Sequence, residues 1–390
     1  MESGQLRKLN LCYAGIQSLY WAGFAAIWAF LSVLLLYRGF SNSQIGTVSA
    51  LALLMPLAVQ PVLASLADRD RRFTSRRLAM ALTGLLLLCA VGLWCSAGSM
   101  AVTAALYVLV GISLTATAPF HSAMAMELQQ HGVALNYGLS RGLGSACYAA
   151  SVLVLGVVVE RYAPTAVLPV FAGEMLLLLL LTWRFRASPT AEAAAGSSPV
   201  LSVGQVLRRY PAYTWLLVGC ALLMACHSAT CTYMIHIVGK VGGSESMMGS
   251  ALAVAAFLEL PAMGLFSRMR RKVPLVWLLI FCAVFFVIRA GLFWAARSVP
   301  VLYLAAALDF FEYGIFIPAT VYYVAEHIDP ANQVKGQSLM GMATTGVGSA
   351  FGNFVSGQLL DRAGVNGMLL FCSVCAAVGL LVVIYAVRRK

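Results

Sequence analysis

Apolar runs of about twenty residues, the length an α-helix needs to cross some 30 Å of hydrocarbon, recur from end to end of this 390-residue chain. Inside a bilayer every backbone N–H and C=O must be paired within the protein, so such runs can only be helices. The pattern predicts spans near Leu11–Tyr37, Ile45–Ala67, Leu78–Ala97, Met100–Met126, Tyr137–Val159 and Thr165–Trp183. A second set is expected near Tyr213–Val238, Met247–Ser267, Val273–Ala295, Val299–Ala325, Gly336–Gly357 and Gly367–Val387. The fold class that follows is an all-α integral membrane protein with twelve transmembrane helices. A hydrophobic fraction of 61% with only 10% charged residues excludes a soluble globule built on one core.

The net charge of +12 could point to nucleic acid, but the basic residues alternate with the spans. Of the Lys and Arg residues outside the helices, 19 fall on the side that holds both termini and five on the other. The positive-inside rule then puts both termini in the cytoplasm, with the chain in the cell's inner membrane. The excess is a topology signal and nucleic acid is not an expected partner. The first apolar stretch is too long for a cleavable signal core and reads as a spanning helix. The ten cysteines fall almost wholly within apolar runs, where small buried side chains are the ordinary reading. Cys372 and Cys375 form a CxxC with no accompanying His, so neither zinc nor redox chemistry is expected, and no metal site is assigned.

An internal repeat divides the chain. Gln44-Ile45-Gly46 opens the second helix after Gly39 and a polar turn, and Met247-Met248-Gly249 opens the eighth after Gly239. Gly156 to Glu160-Arg161 after the fifth helix is echoed by Gly357 to Asp361-Arg362 after the eleventh. Two parallel six-helix halves are expected, residues 1–186 and 211–390, with a solute site between them near the midplane. Residues 187–210, rich in Ala, Ser, Pro and Gly at their start, read as a cytoplasmic linker.

Charges embedded in the runs locate function. A charged side chain at the bilayer centre costs roughly 2.5–3.5 kcal/mol on insertion scales, so it ordinarily faces a polar cavity and has a task there. Glu259, Arg289, Asp309 and Glu312 crowd the second half, and Arg141 lies in the first. Asp309 and Glu312, spaced i, i+3, share one face of a continuous helix ten, and Arg289 can neutralise one of them. The other is left to load and release a proton. His121 and His227 lie mid-helix, where imidazole can hydrogen-bond a solute or titrate.

These residues carry a resemblance. Gln60-Pro61 through Ala64 to Asp68-Arg69 is similar to the loop signature of the major facilitator superfamily, in the variant of proton-coupled symporters related to lactose permease and phenylpropionate permeases. Leu258-Glu259-Leu260-Pro261, Val287-Ile288-Arg289 and Asp309-Phe310-Phe311-Glu312 resemble that branch's conserved helix-eight, -nine and -ten patterns. The resemblance implies Glu312, Asp309 and Arg289 as proton-coupling residues, with Glu312 the carrier. It implies Arg141, Glu259 and Tyr148 as substrate-binding residues, joined by His121 and His227 from the reading above, and Asp68 with Arg69 as a gate. The chain departs from the branch where His121-Ser122-Ala123 stands for an acidic residue on helix four, and where Thr344-Thr345 replaces a lysine on helix eleven.

The expectation is a secondary transporter, not an enzyme, since no Walker loop, metal cluster or catalytic constellation is visible. It would take up a small polar solute with protons by alternating access, needing no cofactor beyond the proton gradient. A sugar or glycoside is the first choice, with an aromatic or small carboxylic acid or a nucleoside as the alternative. Export of drugs or metabolites is the rival of another class, though residues 138–159 lack the prolines of an antiporter helix five. The expected partners are the solute, protons and the lipid bilayer, with the chain a monomer.

Overall fold

A computed structural model describes residues 3–69, 73–96, 98–130, 133, 135–185 and 202–389, and among them the regular elements are helical. In the first half, α1 (Ser3–Phe24) runs through a π-helical turn, Ala25–Ala29, into Leu31–Tyr37. It is followed by α2 (Asn42–Arg69), α3 (Ser75–Cys95), α4 (Met100–Gln130), α5 (Tyr137–Arg161) and α6 (Val167–Arg184). In the second half come α7 (Pro211–Thr232, prolonged by Met234–Gly239), α8 (Glu245–Lys272) and α9 (Leu275–Ala295). After these, α10 is built from Val299–Ala307, a 3-10 turn Leu308–Phe310, and Tyr313–His327.

Among the described residues, ten helices are individually long and apolar enough to cross a membrane, and the bent pair in α1 raises this to eleven. The last of them, Gln333–Arg388, has 56 residues and breaks at Gly364, whose φ of 67° is left-handed. Residues before the break form α11 and those after it α12. The twelve expected spans are thereby accounted for. Large apolar side chains such as Leu88, Trp94 and Leu381 stand more than half exposed, as a lipid-facing surface requires.

Helix ends follow local chemistry. The Asn136 carboxamide accepts from Leu139 N at 3.1 Å to start α5, and Thr74 does the same for α3. Most of the expected linker lies outside the described residues. Its end, however, is ordered as a short helix, Val203–Arg209, because Ser202 and Gln205 form a reciprocal capping box.

The described chain forms two compact units, Met1–Phe40 with Leu51–Ala195, and Ser41–Ala50 with Gly196–Lys390. In the first, Tyr20 donates to Leu114 O at 3.0 Å and Tyr107 donates to Ile27 O at 2.5 Å, within the π-turn of α1. In the second, α7 and α11 approach through glycine. A Cβ on Gly348 would stand 2.4 Å from Ala221 O and one on Gly352 only 2.1 Å from Ala225 O.

Residues 41–50 join the second unit because their polar groups are bonded there. The Asp361 carboxylate accepts from Asn42 N (3.1 Å), Asn42 Nδ2 (2.9 Å), Ser43 N (2.7 Å) and Ser43 Oγ (2.6 Å). Those bonds hold the Asp361 carboxyl down at about 2 by favouring its charged form. Deeper in, Asn353 Nδ2 donates to Ser49 Oγ at 2.7 Å, and Gly46 lets the chains close up against Asn353.

Candidate functional site

The second unit gathers its buried charges where α10 loses its helical form. The expected face shared along a continuous helix is corrected here. The backbone tightens to a 3-10 turn at Leu308–Phe310, and Glu312 has φ −83° and ψ −92°. Irregular backbone at membrane depth is tolerated where it is buried in protein or lines a cavity. Asp309 and Glu312 still converge, because both reach the same guanidinium from α9. Arg289 Nη1 donates to Glu312 Oε1 at 3.0 Å and lies 3.2 Å from Asp309 Oδ1, all three residues being buried. Its Nε donates to Ala305 O at 3.2 Å, while Nη2 has no partner among the described residues.

Two residues expected in the solute site belong to this cluster. His227 of α7 places Nδ1 3.0 Å from Glu312 Oε1 and 3.7 Å from Asp309 Oδ1, with Cys231 Sγ 3.7 Å from Nε2. Its ring lies flat on Tyr313, centroids 4.4 Å apart and planes within 8°. Glu259 of α8 lies near enough to Asp309 for the two carboxyls to act on each other as like charges. His227, Asp309 and Glu312 offer donor atoms within 4.8 Å of one another, a spacing that could hold a metal ion. Arg289 Nη1 already occupies that position as the cation, hydrogen-bonded to Glu312 and close to Asp309 and His227.

In the first unit Arg141 of α5 stacks its guanidinium over Trp21 of α1, 3.9 Å from the ring centre, and donates to Ser145 Oγ at 2.7 Å. Tyr148, one turn beyond Ser145, packs against Phe24. His121 is 1% exposed, edge-on to Tyr20 at 5.4 Å, and neither ring nitrogen has a partner among the described residues. Glu127 accepts from Ser75 Oγ at 2.6 Å. Asp68 and Arg69 end α2, and their side chains lie outside the described residues.

Sequence reasoning missed Tyr313 and Cys231, which hold the imidazole, and the aromatic residues Trp21, Phe24 and Trp28. The last three recur at helical spacing, a pattern legible in principle but identical to that of ordinary packing.

The fold is that of solved secondary transporters. It superposes on the nucleoside transporter NupG with a TM-score of 0.81 at 15% identity, covering 97% of this chain and 98% of that one. An auto-inhibited POT family peptide transporter gives a TM-score of 0.75 at 11% identity over 98% and 97%. Residues 10–386 match the MFS_1 like family, and the chain belongs to it: a multi-pass transporter of the major facilitator superfamily. It is also 27% identical to the maltose permease of Geobacillus stearothermophilus over 94% of this chain and 92% of that protein.

Proposed function

We propose that this transporter is a proton-coupled symporter that takes up a sugar or glycoside by alternating access. The observation that carries the reading is the composition of the buried cluster. One fixed cation, Arg289, and one imidazole, His227, face three carboxyl groups, Asp309, Glu312 and Glu259. With His227 protonated and one proton shared by Glu259 and Asp309, the cluster is electrically neutral. Loss of either proton leaves uncompensated charge in a low-dielectric site, which is strongly unfavourable. Proton release must therefore accompany a rearrangement that readmits water or supplies a compensating group. That link is what couples a proton to a conformational step.

Within this reading Glu312 is the group clamped by both cations. Because Glu312, the carrier expected from the sequence, is clamped in this way, we propose that the exchangeable proton resides instead on the Glu259–Asp309 pair and passes by way of His227. Arg141, with Ser145 and Tyr148 on the same face of α5, supplies planar donors suited to a pair of hydroxyls. Similarity to a maltose permease supports a sugar as the solute. We further propose two six-helix bundles, 1–186 and 211–390, joined by the 187–210 segment. They lie in the inner membrane with both termini cytoplasmic, as the 19-to-five basic distribution favours, and the protein acts as a monomer.

The test is uptake of radiolabelled maltose into proteoliposomes under an imposed gradient. The expected result is accumulation when the lumen is alkaline and no response to sodium. Accumulation driven by sodium alone would refute the coupling, and none under any gradient would refute the sugar.

A further inference from the structure

The imidazole of His227 is held with one ring nitrogen engaged and the other on offer. Nδ1 points into the buried cluster, 3.0 Å from Glu312 Oε1 and 3.3 Å from Arg289 Nη1, and Tyr313 lies flat against the ring. Nε2 diverges from that cluster in the ring plane, and beside it stands Cys231 Sγ, 3.7 Å away. A histidine that ligates a metal ordinarily gives its other ring N–H to a carboxylate, which fixes the tautomer and the direction of the ring. Glu312 stands where that carboxylate belongs, on the opposite side of the ring from the thiol.

His227 and Cys231 are one turn apart on α7, so their side chains leave the same face of the helix. Zinc bonds of about 2.0–2.1 Å to nitrogen and 2.3 Å to sulfur span a separation of 3.7 Å at an angle of roughly 115–120°, near tetrahedral. Glu259 of α8 lies close enough for its charge to act on both His227 and Cys231. The pair is also reachable. From Gly219 to Val238 no position is exposed, so that stretch has no lipid face, and His227, Ser228 and Cys231 are half-open together on one side of it.

We infer that His227 Nε2, Cys231 Sγ and the Glu259 carboxylate form a binding site for a thiophilic divalent cation, Zn²⁺ first among them, with water as the fourth ligand. Thiolate and imidazole together select such ions over Mg²⁺, Ca²⁺ or Na⁺, which prefer oxygen. Binding sends the thiol proton and the Nε2 proton to solvent. An imidazolium with a thiol carries one positive charge, and so does an imidazole with a thiolate and Zn²⁺, so metal entry leaves the neutral balance with Arg289, Asp309, Glu312 and Glu259 unchanged. That balance rests on the function proposed above. The site rests on the geometry, and the experiment reads the metal alone.

Protein in nanodiscs, stripped of metal by a chelator and kept under argon, is titrated with Co²⁺ while the cobalt–thiolate charge-transfer band in the near ultraviolet is followed. The wild type develops the band to saturation at one Co²⁺ per chain, and Zn²⁺ abolishes it where excess Mg²⁺ does not. Cys231→Ser removes the band, and Cys231→Ala does so should the serine variant fail to fold. His227→Gln and Glu312→Gln each weaken Co²⁺ binding about tenfold or more with the band retained, the first by losing a ligand and the second by freeing the ring that carries it. Cys95→Ser, at an exposed thiol of α3, leaves the titration unchanged. No cobalt–thiolate band in the wild type, a band that survives both Cys231 variants, or undiminished affinity in both glutamine variants overturns the inference and leaves the coupling reading standing.

Discussion

Arg289 is the residue on which the second unit's chemistry turns. Its Nη1 is shared by Asp309 and Glu312 at 3.2 and 3.0 Å, and nothing else among the described residues brings a fixed positive charge to them. Removing one partner of a buried ion pair typically costs about 3–5 kcal/mol because the other is left charged and unpaired. Arg289→Leu should therefore lower the unfolding temperature in detergent sharply, and adding Glu312→Gln should restore a substantial part of it. Arg289→Lys retains the charge but gives up the planar geometry that joins Ala305 O to Glu312, so it should fold and transport poorly. Arg289, Asp309 and Glu312 were legible as charges within apolar runs. The contacts of Glu259 and His227 were not, because they depend on how α7 and α8 are rotated about their axes, and apolar periodicity is weak in helices surrounded by lipid and protein alike. Asp68 and Arg69 remain at the level of the sequence motif.

Among the elements, α10 and the α7–α11 pair show what sequence patterns hide. No proline or glycine lies within residues 308–312, so the break in α10 has no local signature. It is associated with the tertiary contacts of Asp309 and Glu312, while Gly314 just beyond it lets the chain pass Ala262 and Glu259 of α8. The glycine-rich α11 was legible, and its consequence is now specific. Gly352→Ala must push α7 away, since its Cβ would stand 2.1 Å from Ala225 O, whereas Gly341 has open space. Thermal unfolding should therefore fall for Gly352→Ala and stay level or rise slightly for Gly341→Ala, where helix propensity gains up to about 1 kcal/mol.

The first turn of α2 is tied to α11 by one carboxylate, Asp361, which accepts from both Asn42 and Ser43. With its folded value depressed to about 2, the cap contributes fully above about pH 4, the ordinary aspartate range, and is lost as pH falls through about 2. Asp361→Asn should speed amide exchange at Asn42 and Ser43 at neutral pH and leave the cluster around Arg289 unchanged.

At the scale of the molecule, the twelve spans were legible from length and hydropathy alone, because the bilayer admits few alternatives to a helix. Residues 41–50 belong to the second of the two units, where side-chain bonds to Asp361 and Asn353 hold them, and no sequence pattern marks that exchange. The central claim is that solute and proton move together, the proton being the exchangeable one that keeps the buried cluster neutral. Its most direct test is proton movement driven by sugar, read as the pH of a weakly buffered suspension of proteoliposomes when maltose is added outside. The account predicts external alkalinisation with the wild type, and none with Glu259→Gln combined with Asp309→Asn, although that variant still exchanges maltose across the membrane. Sugar-driven alkalinisation that persists in the double variant, or wild-type maltose entry with no change in pH, would contradict it.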